Sequence, residues 1–509
     1  MDFLAHLQMA FSIAFEPMNL LMCFIGVLCG TLVGVLPGLG PSTTIALLLP
    51  VTFSLSAVQS FIMLAGIFYG ALYGGSTTSI LVNIPGEASS VMTAMDGYQM
   101  AKKGRAGPAL GISAFGSFIG GTFAIILIML LAPPLARMAL KFAFPEKAAL
   151  IFFGFTMVTY LSGGSLIKSL MMAAFGVLLS CVGTDLITAT QRFTFGILEL
   201  SDGIGIVPVV MGLFGIPEIL SNLEKPSREV KVFETKTSQL LPSKQDWKES
   251  SGPIARGSIL GFIVGLFPGA GGVLPSFFSY ALERRLSKHP ERFGKGEIAG
   301  VAGPETANNA GGQAAFIPLL TLGLPCTPAL AVLMGALMIH GLTPGPLLMR
   351  ENPQLFWGAI GSMYVGNAML VLLNLPLIGL WVKILRIPYY LLSPLILVIC
   401  LIGAYSLNNS TVELMIMVVC GMVGYLMNKY GYPAAPLVLA LVLGPMFEES
   451  LRQSLIMSKG SLAVFFTRPI SAVLVIISLA LLISPLIFRR QKRLMAGEPA
   501  SKELTHEHA

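Results

Sequence analysis

Long apolar stretches follow one another along most of the chain. They lie near 18–36, 42–56, 58–73, 80–95, 108–132, 148–162, 166–183 and 203–222, and again near 257–282, 313–340, 354–382, 388–404, 412–428, 433–446 and 468–488. A helix needs roughly 20 apolar residues to cross hydrocarbon, so the pattern predicts an all-α polytopic membrane protein. One long polar connector, 223–256, divides it. The expected organisation is a first membrane repeat over 1–222, a cytoplasmic connector over 223–256, a second membrane repeat over 257–488 and a cytoplasmic tail over 489–509.

Two interruptions differ from the ordinary loops. Gly34-Val35-Leu36-Pro37-Gly38-Leu39-Gly40-Pro41-Ser42-Thr43-Thr44 breaks an apolar stretch, and Gly265-Leu266-Phe267-Pro268-Gly269-Ala270-Gly271-Gly272 breaks another. Pro lacks a backbone donor and Gly permits positive φ, so each break ends a helix and leaves main-chain groups free. Bare peptide groups are tolerated within a bilayer only where protein or a polar cavity receives them. The two breaks are therefore expected to line one buried site.

The halves repeat. Gly26, Gly30, Gly34, Pro37, Gly38 and Gly40 match Gly257, Gly261, Gly265, Pro268, Gly269 and Gly271 at a constant offset of 231. Gly74-Gly75 aligns with Gly311-Gly312, and Ile84-Pro85 with Leu324-Pro325. Equivalent loops exchange their basic character: 51–59 carries no charge, whereas Arg284, Arg285, Lys288, Arg292 and Lys295 follow the second break. By the positive-inside rule the equivalents face opposite sides, which makes an inverted-topology internal repeat. Each break segment then enters and leaves on one side as a re-entrant hairpin, a kinked full span being the alternative. At ~1.5 Å per residue, 42–56 covers only ~22 Å. The expected total is about 11–12 transmembrane helices plus two re-entrant or broken helical segments. That count places the tail Arg489–Arg493 in the cytoplasm and Arg137, Lys141 and Lys147 outside.

Composition narrows the class. Of 509 residues, 54% are hydrophobic and 11% charged, with mean hydropathy +0.79, against roughly 25% charged in soluble domains. The net charge of +7 comes from Lys and Arg in short loops, which suits membrane orientation and gives no reason to expect a nucleic-acid partner. The six cysteines are scattered through apolar stretches without CxxC spacing, so neither a disulfide framework nor a metal site is expected. The first residues carry no Lys or Arg and do not read as a cleaved signal peptide.

Three polar clusters carry the candidate chemistry. In the first, Gly38, Gly40, Ser42, Thr43 and Thr44, with Gly269, Gly271 and Gly272 as counterparts, offer N–H groups and hydroxyls at a half-helix start. That arrangement favours an anion, while free carbonyls on the other half-helix suit a cation such as sodium. The bland reading is close helix packing through small residues. The second cluster is Gly74-Gly75-Ser76-Thr77-Thr78-Ser79 with Asn83, expected to form a polar cavity wall. The third is Gly303-Pro304-Glu305-Thr306-Ala307-Asn308-Asn309-Ala310-Gly311-Gly312. An unpaired ionised Glu305 is costly at depth, so a proton, a cation or a donor is expected beside it, unless it caps a helix at the boundary. Asn308 and Asn309 can present amide oxygens to a cation or N–H groups to a carboxylate. Substrate binding is thus expected at Gly38, Gly40, Ser42, Thr43, Thr44, Ser76, Thr77, Thr78, Asn83, Gly269, Gly271, Gly272, Asn308 and Asn309, and cation coupling at Glu305, Ser79 and Asn309. No catalytic residue and no metal beyond a transported sodium ion is expected. An enzyme would need a nucleophile–base pair or clustered ligands, and none is evident; a channel is the other rival.

PGLGPSTTIALLLP, YGGSTTSILVNIPG, GPETANNAGGQAAFIPLLTLGLP and GALMIHGLTPGPLL, in order over roughly 18–450, resemble the large membrane subunit of the tripartite tricarboxylate transporters. The resemblance implies a permease in a bacterial inner membrane working with a small membrane subunit and a periplasmic solute-binding protein. It further implies uptake of an organic carboxylate driven by a cation gradient, sodium or alternatively proton, without a cofactor. Whether the chain forms a homo-oligomer stays open. Cys326 is a local departure, since the family pattern favours Gly after that Pro.

Overall fold

The computed structural model describes residues 3–36, 40–161, 165–185, 187–224, 233, 240–385 and 389–495. Gly38, most of 225–239 and the tail beyond 495 lie outside the described residues. The protein is polytopic and mostly α-helical. Six described helices are long and apolar enough to cross a membrane: Pro17–Val35, Ala57–Val82, Ala106–Ala139, Pro353–Asn374, Thr411–Tyr430 and Ala434–Met457. Shorter apolar helices, among them Leu166–Ser180 and Pro328–Ile339, fill the space between them.

Local chemistry sets many boundaries. Prolines open Pro17–Val35, Pro41–Leu48, Pro328–Ile339 and Pro353–Asn374, where their missing N–H costs no helical bond. Ser56 and Gln59 form a capping box ahead of Ala57–Val82. That helix ends at Asn83, which takes the left-handed conformation at φ 59°. Helix Lys244–Gly265 starts inside the segment expected to be connector, because Ser243 and Asp246 form another capping box and Arg105 pairs with Asp246.

The all-helical expectation needs one correction. Gly183–Thr184 and Gln191–Arg192 pair as a small antiparallel ladder. Asp185 turns the chain between them by accepting the N–H groups of Ile187 and Thr188 at 2.7 and 3.1 Å.

The described helices on either side of each Pro-Gly break form a hairpin, residues 37–39 lying outside the described residues. The first hairpin comprises Pro17–Val35 and the returning Pro41–Leu48, which continues as a 3₁₀ turn through Ser54. An added Cβ on Gly26, Gly30 or Gly34 would lie 2.3, 2.4 or 2.3 Å from the carbonyl oxygen of Met63, Ile67 or Ala71. The numbers rise together, so Pro17–Val35 runs parallel to its flanking helix Ala57–Val82. The segment between them must therefore return to the starting level, where the Ser60 hydroxyl bonds Thr52 O at 3.1 Å. The second hairpin, Lys244–Gly265 and Val273–Leu286, repeats this arrangement. There an added Cβ on Gly257, Gly261 or Gly265 would lie 2.6, 2.4 or 2.4 Å from the carbonyl oxygen of Gly303, Ala307 or Gly311, so its arm runs parallel to helix Ala299–Ala314. Pro275 packs on Gly311 and Glu283 on Gly303, which makes Val273–Leu286 the returning arm. Small residues let backbones approach this closely where hydrophobicity alone does not separate protein from lipid.

The two flanking helices cross in opposite directions. Leu72 meets Gly312, Ser76 bonds Glu305, and Ile80 and Val301 both pack on Gly97. Phe316 wedges edge-on against Phe61 and Phe68, with ring centroids 6.1 and 5.6 Å away.

Candidate functional site

The hairpin tips meet in one cavity of about 200 Å³. Pro41 and Ser42 come from the first hairpin, and Gly269, Gly271 and Gly272 from the second. Glu87 and Ser89 come from the loop after Pro85, and Cys326 and Thr327 from the loop after Pro325. Phe68, Leu72, Val158 and Leu439 complete an apolar wall.

Backbone geometry holds these segments at the cavity. Gly269 and Gly271 have φ of 86° and 48°, which a side chain would resist. The Gly269 N–H donates to the Cys326 carbonyl at 2.8 Å, tying the second tip to the loop after Pro325. In the first half, a Cβ on Gly86 would lie 2.1 Å from Gly34 O, so only glycine lets the Glu87 loop sit against the first hairpin.

Helix starts converge here. Pro41–Leu48, Val273–Leu286 and Pro328–Ile339 all begin at the cavity wall, and the turn Ala88–Ser90 leads from it into Val91–Lys102. The first turn of a helix has N–H groups without intrahelical partners and the positive end of the dipole. Several such ends around one space favour a bound anion.

A second polar region lies behind the cavity. Glu305 is fully buried on Ala299–Ala314, and its carboxylate accepts from Ser76 Oγ at 2.5 Å, from the Thr93 hydroxyl and from Ser117 Oγ at 3.5 Å. Asn309 Nδ2 donates to Ser117 Oγ at 2.7 Å and to the Glu305 carbonyl at 3.2 Å, while its Oδ1 has no hydrogen-bond partner among the described residues. Asn308 is also fully buried, neither of its amide atoms has a hydrogen-bond partner among the described residues, and its Oδ1 lies 2.3 Å from where a Gly272 Cβ would stand.

The expected site residues thus separate. Ser42, Gly269, Gly271 and Gly272 line the cavity; Asn308 backs onto its second tip; Ser76, Asn309 and Glu305 share the region behind. Others serve local structure. Thr44 Oγ1 bonds back to Gly40 O at 3.1 Å, Thr78 Oγ1 caps the first hairpin arm at Val35 O, 2.7 Å, and Ser79 Oγ reaches Gly75 O and Ser90 Oγ. Thr43 and Thr77 are buried away from the cavity lining, a Cβ on Gly40 would meet nothing within 4 Å, and Asn83 is an exposed cap. Gly38 lies outside the described residues.

Sequence reading missed Glu87, Ser89 and Thr327. The Pro85 and Pro325 equivalence was the signal that could have found them, because each follows its proline by two to four positions.

The model of the tripartite tricarboxylate transporter TctA family matches residues 20–439. The chain belongs to that family. An uncharacterised 52.8 kDa protein of the TAR-I ttuC' 3' region in Agrobacterium vitis is 52% identical over 488 residues, covering 96% of this chain and 97% of that protein. A second from the TAR-II ttuC' 3' region of the same organism is 51% identical over 227 residues, covering 45% of this chain and 94% of that one. The uncharacterised MJ1079 of Methanocaldococcus jannaschii is 25% identical over 219 residues, covering 41% and 49% of the two chains. No solved structure matches. Family membership makes this a multi-pass membrane transport protein and not an enzyme. It also implies a tripartite transporter with a small membrane subunit and a periplasmic binding protein.

Proposed function

We propose that the chain is the permease subunit of a binding-protein-dependent, cation-coupled secondary transporter that imports tricarboxylates or related small organic carboxylates across a bacterial inner membrane. The observation that carries this reading is the convergence of helix starts from both hairpins on one cavity. A carboxylate placed there meets N–H groups, the Ser42 and Thr327 hydroxyls and the main chain of 269–272. Cation coupling draws on the Glu305 and Asn309 oxygens, with Ser79 nearby; sodium is the expected ion and a proton the alternative.

The matched glycine registers and the opposed flanking helices support an inverted repeat of about 11–12 spans with two re-entrant hairpins. Alternating access then moves the two tips as a unit relative to the surrounding helices, in an elevator-like stroke. The binding protein delivers the substrate, the small subunit completes the membrane complex, and a homo-oligomer is compatible with both.

Uptake of citrate and a panel of dicarboxylates by the reconstituted complex tests the reading. A sodium or proton gradient should drive accumulation, and Ser42→Ala should lower uptake by about 2- to 10-fold, the worth of one hydrogen bond. Thr43→Ala should lower it less, since Thr43 packs against Gly215 outside the cavity lining. Equilibration without accumulation would indicate a channel instead.

A further inference from the structure

Glu87 is the one charged side chain lining the cavity, and no Lys, Arg or His accompanies it among the described lining residues. Its Oε2 accepts from Ser89 Oγ at 3.1 Å, and its N–H donates to Ser90 Oγ at 3.4 Å. Its partners are the hydroxyls of Ser89 and Ser90 and the Ser90 N–H, all neutral, and none is cationic. Glu305 acts on it electrostatically from behind helix Ala57–Val82, with the same sign of charge. Cys326 is the other titratable group in the wall.

An arriving carboxylate would therefore share about 200 Å³ with a fixed carboxylate. The helix starts favour one negative charge nearby, but their influence fades within the first turn, and two or three further charges come with the substrate. Like charges confined to one such cavity repel. An anion of charge two or three must also enter against an inside-negative potential, which requires several accompanying cations. The Ser42, Ser89 and Thr327 hydroxyls line the same cavity as Glu87, and hydroxyl and carboxylate oxygens suit a hard monovalent cation.

We propose that Glu87 is a coupling site: it takes up a monovalent cation, sodium or proton, together with the carboxylate, and the neutralised pair is what the carrier moves. The site is additional to the Glu305 region and rests on the transport reading above. Coupling of this kind is reciprocal, so the cation raises carboxylate affinity and the carboxylate raises cation affinity by the same factor.

Citrate and dicarboxylate binding to the purified protein, and uptake by the reconstituted complex, are measured with sodium varied at fixed pH and with pH varied at fixed sodium. In the wild type one of the two cations should raise affinity by roughly tenfold or more, and the responsive arm identifies it. Glu87→Gln should bind the carboxylate without that cation and lose most of the dependence, while remaining folded. Glu87→Asp, which keeps the charge, should keep the dependence at shifted affinity. Cation dependence in Glu87→Gln equal to that of the wild type would overturn the assignment of Glu87 alone. Wild-type uptake indifferent to both gradients would instead overturn the coupled-transport reading, and Glu87 with it.

Discussion

Two carboxylates sit beside helix Ala57–Val82 and differ in what surrounds them, Glu305 being fully buried and Glu87 half-buried. Glu305 is sealed, with hydroxyls of Ser76, Thr93 and Ser117 around it and no opening to the cavity. Glu87 faces the cavity with a single side-chain donor, Ser89. The difference is one of access. A cation at Glu87 can arrive with the substrate and leave with it, whereas one at Glu305 must move through helices packed backbone to backbone. A carboxylate enclosed by neutral donors takes up a cation only when those donors move; one at a cavity wall is directly open to a ligand.

The largest expected effect removes the frame that separates the two regions. Gly261→Leu puts a side chain where Ala307 O already stands 2.4 Å from a Cβ, with no flexible neighbour to yield. The loss should be about 3 kcal/mol or more, seen as failure to recover a monodisperse, folded protein in detergent. An intact, transporting Gly261→Leu protein would show that the glycine register does not hold the hairpin.

Glu305→Ala should come next. It strands the Thr93 hydroxyl in a buried pocket and leaves Ser76 Oγ only the Leu72 carbonyl, at a cost on the order of 1–3 kcal/mol in thermal or denaturant stability. Glu305→Gln retains an acceptor oxygen and should fold, so its uptake separates a charge-dependent role from a structural one. If Glu305→Ala were no less stable than Glu87→Ala, the contrast between sealed and open carboxylate would fail.

A third carboxylate, outside the spanning helices, shows what a cationic partner does. Asp185 accepts from Arg452 at 2.6 Å and from the Ile187 and Thr188 N–H groups, which hold it well below the usual carboxylate range. Its stabilising effect is fully present above the unfolded value of roughly 3.9 and is lost as pH falls through the lowered folded value. Arg452→Gln should raise the Asp185 titration towards the ordinary range and move loss of the 183–192 turn to higher pH, with a small overall effect. Direct titration of that loop by infrared or magnetic resonance checks it; an unmoved midpoint would contradict the pairing.

Much of this frame was readable along the chain. The Gly-x₃-Gly-x₃-Gly runs, their repetition and the Pro-Gly breaks follow from local rules about small residues and missing donors, and they became hairpins with tips in one cavity. Hydroxyls were less legible. Ser42 and Thr44 are two residues apart, yet one faces the cavity and the other bonds back to Gly40 O, a choice made by helix phase and local competition for carbonyls. Glu87 was legible only through the equivalence of Pro85 with Pro325, because locally it follows a Pro-Gly pair in what reads as a loop. Only the approach of Gly86 to Gly34 O brings that loop to the tips. Glu305 stood out because Asn308, Asn309 and the glycine pair surround it in the sequence itself.

The central claim is that a carboxylate and its cation occupy the cavity between the hairpin tips. Ser42→Cys, in a background with the native cysteines replaced, puts a thiol on that wall, and Asn83→Cys puts one on an exposed cap as a control. Labelling by a small charged thiol reagent is followed in membranes with citrate or a dicarboxylate, with and without the coupling cation. The account predicts that carboxylate and cation together slow labelling at position 42, that neither alone does so fully, and that position 83 is unaffected. Labelling at position 42 that is indifferent to every transported carboxylate, under conditions where uptake proceeds, would contradict it.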